Sequence, residues 1–462
     1  MLNFSRLALS EESALSADVK SHWEESPASA KPFTLADTMD RASHKSQDIL
    51  KDEWDARSNQ LGIEDKASEC FPKAEINSGF YYNDGSDSQS LSDSFLSSMS
   101  IRWDLFEAWK IFFQKKYLQH NEAYRKLKHG QALRTSKAKA LALYFNYWSQ
   151  SHSLDMASEE KALAGKKLSN ARFSFEKKLL PKKSLDESAR AFEEGSWEYD
   201  GALLKTSQAK KKLLRYLFLP PNTEIAPPSP IPLPEVPSLD TVIRKTMEAS
   251  EALLSSKENL QNSNQAIEDS RYKRWTQFRT SFYVGNSIPL NQWYQITPDQ
   301  TLFYGAELKW VLPLLDGGYY KRQEKEAVIH HEKALLDHEN LPDEIFEKIT
   351  EMWRDLIEKR KKILVAQESC EDQEEAFQPI SQKYVSGELS LIEKETARLD
   401  LKRQKLQLTL KNYDYIVTHA NLDIFCGNET SWIMDNAKQG QSESEAFSDP
   451  HSKPHRRSPG TF

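Results

Sequence analysis

Four short segments of the chain alternate apolar and polar residues with period two, and between them run long stretches whose apolar residues recur at helical spacing. In the first alternating segment Ala74, Ile76, Phe80 and Tyr82 fall on one side, opposite Glu75 and Asn77. In the second, Phe95, Met99, Ile101, Trp103 and Leu105 oppose Ser98, Ser100, Arg102 and Asp104. The third sets Phe278, Phe282 and Val284 against Gln277, Arg279 and Ser281, and the fourth sets Leu302, Tyr304, Ala306, Leu308, Trp310 and Leu312 against Glu307 and Lys309. The pattern predicts strands over 73–82, 95–105, 275–285 and 301–312. Asn83 to Ser94 and Asn286 to Gln300 read as the loops between paired strands.

The helical stretches differ in length. Glu107 to Phe175 and Tyr319 to Tyr384 read as two very long helices, each reaching roughly 100 Å at ~1.5 Å per residue. Their apolar stripes require burial against other long helices, as in coiled coils. Lead-in helices are expected over Leu35 to Glu69 and Leu239 to Arg274, and return helices over Ser184 to Leu219 and Leu389 to Phe425. One lead-in and one return helix together match one long helix in length.

The order helix, strand, loop, strand, long helix, helix therefore occurs twice. Leu239 follows Leu35 by 204 positions, and the offset drifts to about 209 where the second strand of each copy meets the long helix. A period this long marks a duplicated half rather than a solenoid unit, whose period is roughly 20 to 50 residues. The expected organisation is an N-terminal extension over 1–32, repeats over 33–219 and 238–427, a Pro-rich linker over 220–237 and a disordered tail over 428–462. Met1 to Ala30 has no apolar run resembling a signal-peptide core. Pro342 and Pro379 fall inside the second long helix and are expected to break or kink it.

Composition narrows the class. With 28% charged residues and 15 glycines in 462 positions the chain is polar and helix-rich. No stretch approaches the ~18 apolar residues of a transmembrane helix, so contact with a bilayer would have to be made by a closed β-barrel. Four strands cannot close one when the smallest membrane barrels have about eight, so such a barrel would be shared between chains. Alternation alone leaves open a soluble sheet packed on one side. A net charge of -7 argues against a nucleic-acid partner. Cys70, Cys370 and Cys426 are too few and scattered for a disulfide framework or zinc site. His330 and His331 are adjacent on a helix and diverge by about 100°, which rules out the paired geometry of a metal site. Asp316-Gly317-Gly318 lacks the later Gly-Lys-Ser/Thr of a nucleotide loop and reads as a tight turn. No catalytic set, cofactor or metal is expected.

At these residues the chain resembles the TolC-like outer membrane efflux protein family, over about Phe33 to Gly427. Leu315-Asp316-Gly317-Gly318 is similar to the family's strand-to-helix turn, and Tyr384 to Leu391, with Gly387 at its centre, to the tip between long and return helices. Pro220 to Pro237 resembles the linker between halves. The first copy departs from the pattern: Lys178-Leu179-Leu180-Pro181 stands where a tip glycine is expected, with Phe192 to Gly195 as a second register, and Ala108-Trp109 replaces the paired glycines.

The resemblance implies a mainly α fold with a small β-barrel portion: a homotrimer with a 12-stranded barrel in outer membrane lipid and a coiled-coil tunnel in the periplasm. It also implies a periplasmic adaptor and an inner-membrane RND pump or ABC transporter as partners, with substrates conducted unchanged. In that frame Trp103 and Trp310 sit near the membrane interface. Glu374 and Glu375, within an acidic run before Gly387, are candidate tunnel-gating acids, with a solvated outer face as their alternative position. The rival reading is a soluble long-helix coiled-coil scaffold that tethers partners.

Overall fold

A computed structural model describes residues 32–68, 71–81, 94–103, 105–275, 277–289, 302–311, 316–428 and 432–433. The element order is α1 (Leu35–His44), α2 (Gln47–Ser68), β1 (Lys73–Tyr81), β2 (Ser94–Trp103), α3 (Leu105–Glu176), α4 (Lys182–Tyr216), α5 (Leu239–Ala249), α6 (Glu251–Trp275), β3 (Gln277–Pro289), β4 (Leu302–Val311), α7 (Tyr319–Val385) and α8 (Leu391–Phe425). The fold is mostly helical, with one small sheet. Tyr82, Asp104, Leu312, Cys70, most of both inter-strand loops, the N-terminal 31 residues and the tail after Ile433 lie outside the described residues.

The chain forms two compact units, and each draws on both copies of the repeat. One comprises 1–52, 129–250 and 344–462, and the other comprises 53–128 and 251–343.

In the first unit the helices pack as antiparallel pairs. Along α7 the buried residues Ile349, Leu356, Ile363 and Cys370 recur every seven positions. Along α8 Ile392, Leu399, Leu406, Tyr413 and Ala420 do the same, all of them within or packed on the apolar clusters. A seven-residue period keeps one stripe facing a partner helix, the pattern of a left-handed coiled coil. Residue numbers rise along α3 as they fall along α8: Phe145 stacks on Tyr413 at 4.6 Å, Glu159 meets Lys402 at 2.5 Å, and Met156 and Leu163 share a cluster with Leu399. The α3–α4 pair approaches closely at two glycines, since a Cβ on Gly165 would lie 3.4 Å from the Phe192 ring and one on Gly195 would lie 3.6 Å from the Lys161 backbone.

The main core gathers Met39 of α1, Leu141 and Tyr144 of α3, Leu213 and Leu217 at the end of α4, and Ala420 of α8. The Pro-rich linker is strapped to it. Phe33 pairs with Ile225 as a parallel bridge, the Tyr144 hydroxyl donates to the Ala226 carbonyl at 2.6 Å, and Tyr415 donates to Pro234 at 2.7 Å. Trp353 Nε1 donates to the Pro237 carbonyl at 2.8 Å. Proline-rich backbone keeps its acceptors but loses its donors, so aromatic O–H and N–H groups are suitable fasteners.

Several expectations change. Each lead-in helix is two helices. Lys45 ends α1, and the Ser46 side chain accepts the Ile49 N–H at 3.3 Å to begin α2. The second copy breaks at Ser250, 204 positions later, and both serines are buried. Serine caps a helix by offering an oxygen to the orphan donors of its first turn. α7 runs on through Pro342 and Pro379 instead of ending at either, because a proline removes one donor while the ladder on both sides continues. Ala108 and Trp109 lie inside α3, which begins at Leu105, so they are not the turn itself. Phe192 to Gly195 lies within α4, so the first tip is at Lys178. In the segment expected to be disordered from 428 onward, Ile433 is fully buried in the main core and Trp432 donates to Asp423 at 2.9 Å.

Candidate functional site

The four strands pair as one antiparallel sheet in the order β1-β2-β3-β4, so β1 and β4 are its two edges. Their register aligns the apolar residues of all four strands. Ile76 faces Met99, Met99 faces Val284, and Val284 faces Tyr304 across the sheet. The next row on the same face runs Ala74, Ile101, Phe282, Ala306. These rows are uncovered, with Ile76 at 72%, Phe282 at 50% and Tyr304 at 80% exposure. The row between them runs Glu75, Ser100, Tyr283, Gly305, and in the row beyond Ala74 Arg102 opposes Ser281, which opposes Glu307 and donates to it at 3.4 Å. A β-sheet whose every strand turns apolar residues to one uncovered side presents a continuous greasy face. Trp103 closes β2 and Trp310 lies next to the end of β4, and their side chains lie outside the described set.

Asp316, Gly317 and Gly318 form the turn into α7. Both glycines hold positive φ, 62° and 80°, which a Cβ would penalise. Asp316 caps the helix by accepting the Gly318 N–H at 2.8 Å and the Tyr320 N–H at 3.0 Å. Those two donors, Tyr320 first, hold its carboxyl below the usual carboxylate range.

Both tips close on the same hydrogen bonds. At the second, Glu388 N–H reaches the Lys383 carbonyl at 2.9 Å and Gly387, φ 81°, donates to Tyr384 at 3.1 Å. Ser390 then starts α8 through a reciprocal cap with Glu393. At the first, Leu179 donates to Ser174 at 2.9 Å and Lys178, φ 59°, to Phe175 at 2.8 Å. This is the Schellman ending, whose left-handed position favours glycine. Phe173, Leu179 and Val385 stand exposed around the two turns.

The candidate acids separate. Glu374 is ion-paired with Lys405 on α8, which holds the Lys405 ammonium above its ordinary range. Glu375 is exposed on α7. Sequence reasoning missed the row on α8 to which Lys405 belongs: Lys402 and Arg403 reach back to Glu159 and Glu160 of α3, at 2.5 and 2.7 Å. The signal was a Lys402-Arg403-Lys405 cluster on a return helix, facing the Glu159-Glu160 pair on the first long helix. Among the described residues no group of three or more His, Cys, Asp or Glu side chains could hold a metal ion. No helix of the described residues is long and apolar enough to cross a membrane.

No protein-family model and no curated protein matches the sequence. Solved structures do match the fold. The CmeC outer membrane channel of Campylobacter jejuni aligns at 16% identity with a TM-score of 0.63, over 88% of this chain and 89% of that one. CusC, described for folding and transmembrane channel formation, aligns at 12% identity and TM-score 0.60, over 85% and 92%. The outer membrane protein VceC of Vibrio cholerae aligns at 12% and 0.58, over 86% and 96%. The chain therefore shares the fold of these outer membrane proteins, the fold that the resemblance in its sequence implied.

Proposed function

We propose that three copies of this chain form a passive duct in an outer membrane, each supplying four strands of a 12-stranded barrel. The observation that carries this is the sheet: four antiparallel strands with two open edges and an apolar face uncovered along both central rows. Pairing β4 of one copy with β1 of the next removes every edge, as a membrane barrel requires. The apolar rows then face lipid, with Trp103 and Trp310 in an interfacial girdle. The efflux-channel neighbours support the channel role.

In this reading residues 33–219 and 238–427 are the two repeats of a protomer, with the 220–237 linker between them. Their helices line a water-filled tunnel into the periplasm. The tips at Lys178 and Gly387 meet a periplasmic adaptor, which links the duct to an inner-membrane RND pump or ABC transporter. Opening is a population shift driven by differential contact with the adaptor. Glu375, with Glu374 where its lysine releases it, biases the mouth toward cations. Cargo passes without chemical change, so no side chain is assigned a catalytic role. A soluble coiled-coil scaffold accounts for the helices but leaves the greasy face and both edges without a purpose.

The test is extraction from native membranes in mild detergent and imaging by negative-stain electron microscopy. Threefold tubes well over ~100 Å long, the reach of one long helix, are expected. Soluble monomeric or dimeric rods absent from the membrane fraction would sink the proposal.

A further inference from the structure

The two lead-in helices are equivalent by the repeat but are held unequally. Asp52 of α2 and Ser256 of α6 are 204 positions apart, and His129 of α3 and His338 of α7 are 209 apart, the two offsets of the duplication. Each histidine meets its own half's lead-in helix at the matching place. His129 Nδ1 lies 2.7 Å from Asp52 Oδ2, and His338 Nδ1 lies 3.0 Å from Ser256 Oγ. The same contact has been kept in both halves with a different partner for the ring.

Beyond that contact the two helices diverge. α6 continues against α7 with Ser263 meeting His331 at 3.0 Å and Arg271 meeting Glu324 at 3.1 Å, and it buries Ile267 and Ser270. Every described side chain of α2 from Glu53 to Ser68 is exposed, including Trp54 at 48% and Leu61 at 55%. Among its described side chains there, the hydrogen bonds of Gln60 to Glu64 and of Ser68 to the Asp65 carbonyl stay within the helix. The Asp52 side chain is 14% exposed, and behind it Ser46 and Tyr216 anchor the helix start through Ser136, with Tyr216 also donating to Asp48 at 3.0 Å.

We propose that the His129–Asp52 contact is a hinge clasp: it marks where the anchored start of α2 ends, and opening it frees α2 beyond that point while α6 stays fastened. All of these contacts lie within one chain, so the clasp stands whether or not the chain is a duct. A helix with an anchored base, a polar clasp and described side chains that are exposed beyond it belongs to the low-stability end of a structure, where local opening is least costly.

The test is hydrogen exchange by mass spectrometry on the full-length protein extracted in mild detergent. In the unaltered chain, peptides over 53–68 should exchange faster than those over 257–272. His129→Ala and Asp52→Asn should each speed exchange over 53–68 by about threefold to tenfold, the worth of one side-chain hydrogen bond. His338→Ala should speed 251–265 by less than about twofold, because two neighbouring contacts remain. His330→Ala, exposed on the same helix as His338, should change neither. Protection of 53–68 equal to that of α6, silence of both clasp variants, or an equal effect from His330→Ala would each overturn the clasp. If His129→Ala does not fold, Asp52→Asn and the comparison within the unaltered chain still decide.

Discussion

Lys178 and Gly387 occupy the same left-handed position at the ends of the two long helices, 209 residues apart, and close on equivalent hydrogen bonds. Phe218 and Gly427 repeat the relationship at the ends of the two return helices, at φ 49° and 75° and again 209 apart. The second half uses glycine where the conformation asks for it. The first half holds a side chain there at a cost in strain.

Lys178→Gly is therefore expected to stabilise the protein by about 0.5–1 kcal/mol, offset in part by the greater freedom of an unfolded glycine. Gly387→Ala should destabilise it by about 1 kcal/mol. Thermal unfolding followed by circular dichroism gives both values, and a Lys178→Gly variant that melts earlier than the unaltered chain would contradict the strain argument.

Val284→Arg puts a charge at the centre of the row Ile76, Met99, Val284, Tyr304. On a lipid-facing strand an arginine near the midplane costs about 2–4 kcal/mol, so the variant should vanish from the outer membrane fraction. Ser100→Arg, on the other face, should be tolerated. Equal recovery of both would mean that the greasy face does not meet lipid.

The Asp316 cap gives a pH dependence with a definite sign. Its folded carboxyl titrates below the unfolded one, near about pH 4, so the cap is complete above that pH and is lost as pH falls through the lower folded value. Asp316→Asn removes this acid-dependent part. The check is the difference in melting temperature between the two chains at pH 7 and pH 3, which should shrink on acidification.

Glu374 and Glu375 are expected to behave differently. Glu374 and Lys405 are each about half exposed, at 49% and 53%, so their pair is worth less than about 1 kcal/mol. Glu375→Gln should reduce cation preference in planar-bilayer recordings, whereas Glu374→Gln should do so less and Lys405→Met should increase it by releasing Glu374. No change in reversal potential from Glu375→Gln would remove that acid from the tunnel.

The strands were legible because each has one apolar side, and alternation carries both the element and its face; the register then stacked those sides into common rows. The long helices were legible to within two residues at most ends, since capping and heptad signals are local. The breaks at Ser46 and Ser250 were not, because a serine within a helical pattern looks the same whether it caps or continues. The first tip was obscured because Lys178 sits where its residue type gives no warning of positive φ. Pairings such as Glu374 with Lys405, or His129 with Asp52, depend on which helices lie side by side, which periodicity does not specify.

The strap over 220–237 has a consequence for how the two halves can be handled. Its backbone carbonyls are held by Tyr144 from the first half and by Trp353 and Tyr415 from the second. The seam of the repeat is thus built into the core instead of hanging outside it. Cutting, lengthening or tagging the chain there removes fasteners from both sides at once, so a joint that reads as a spacer is the poorest place at which to divide this protein.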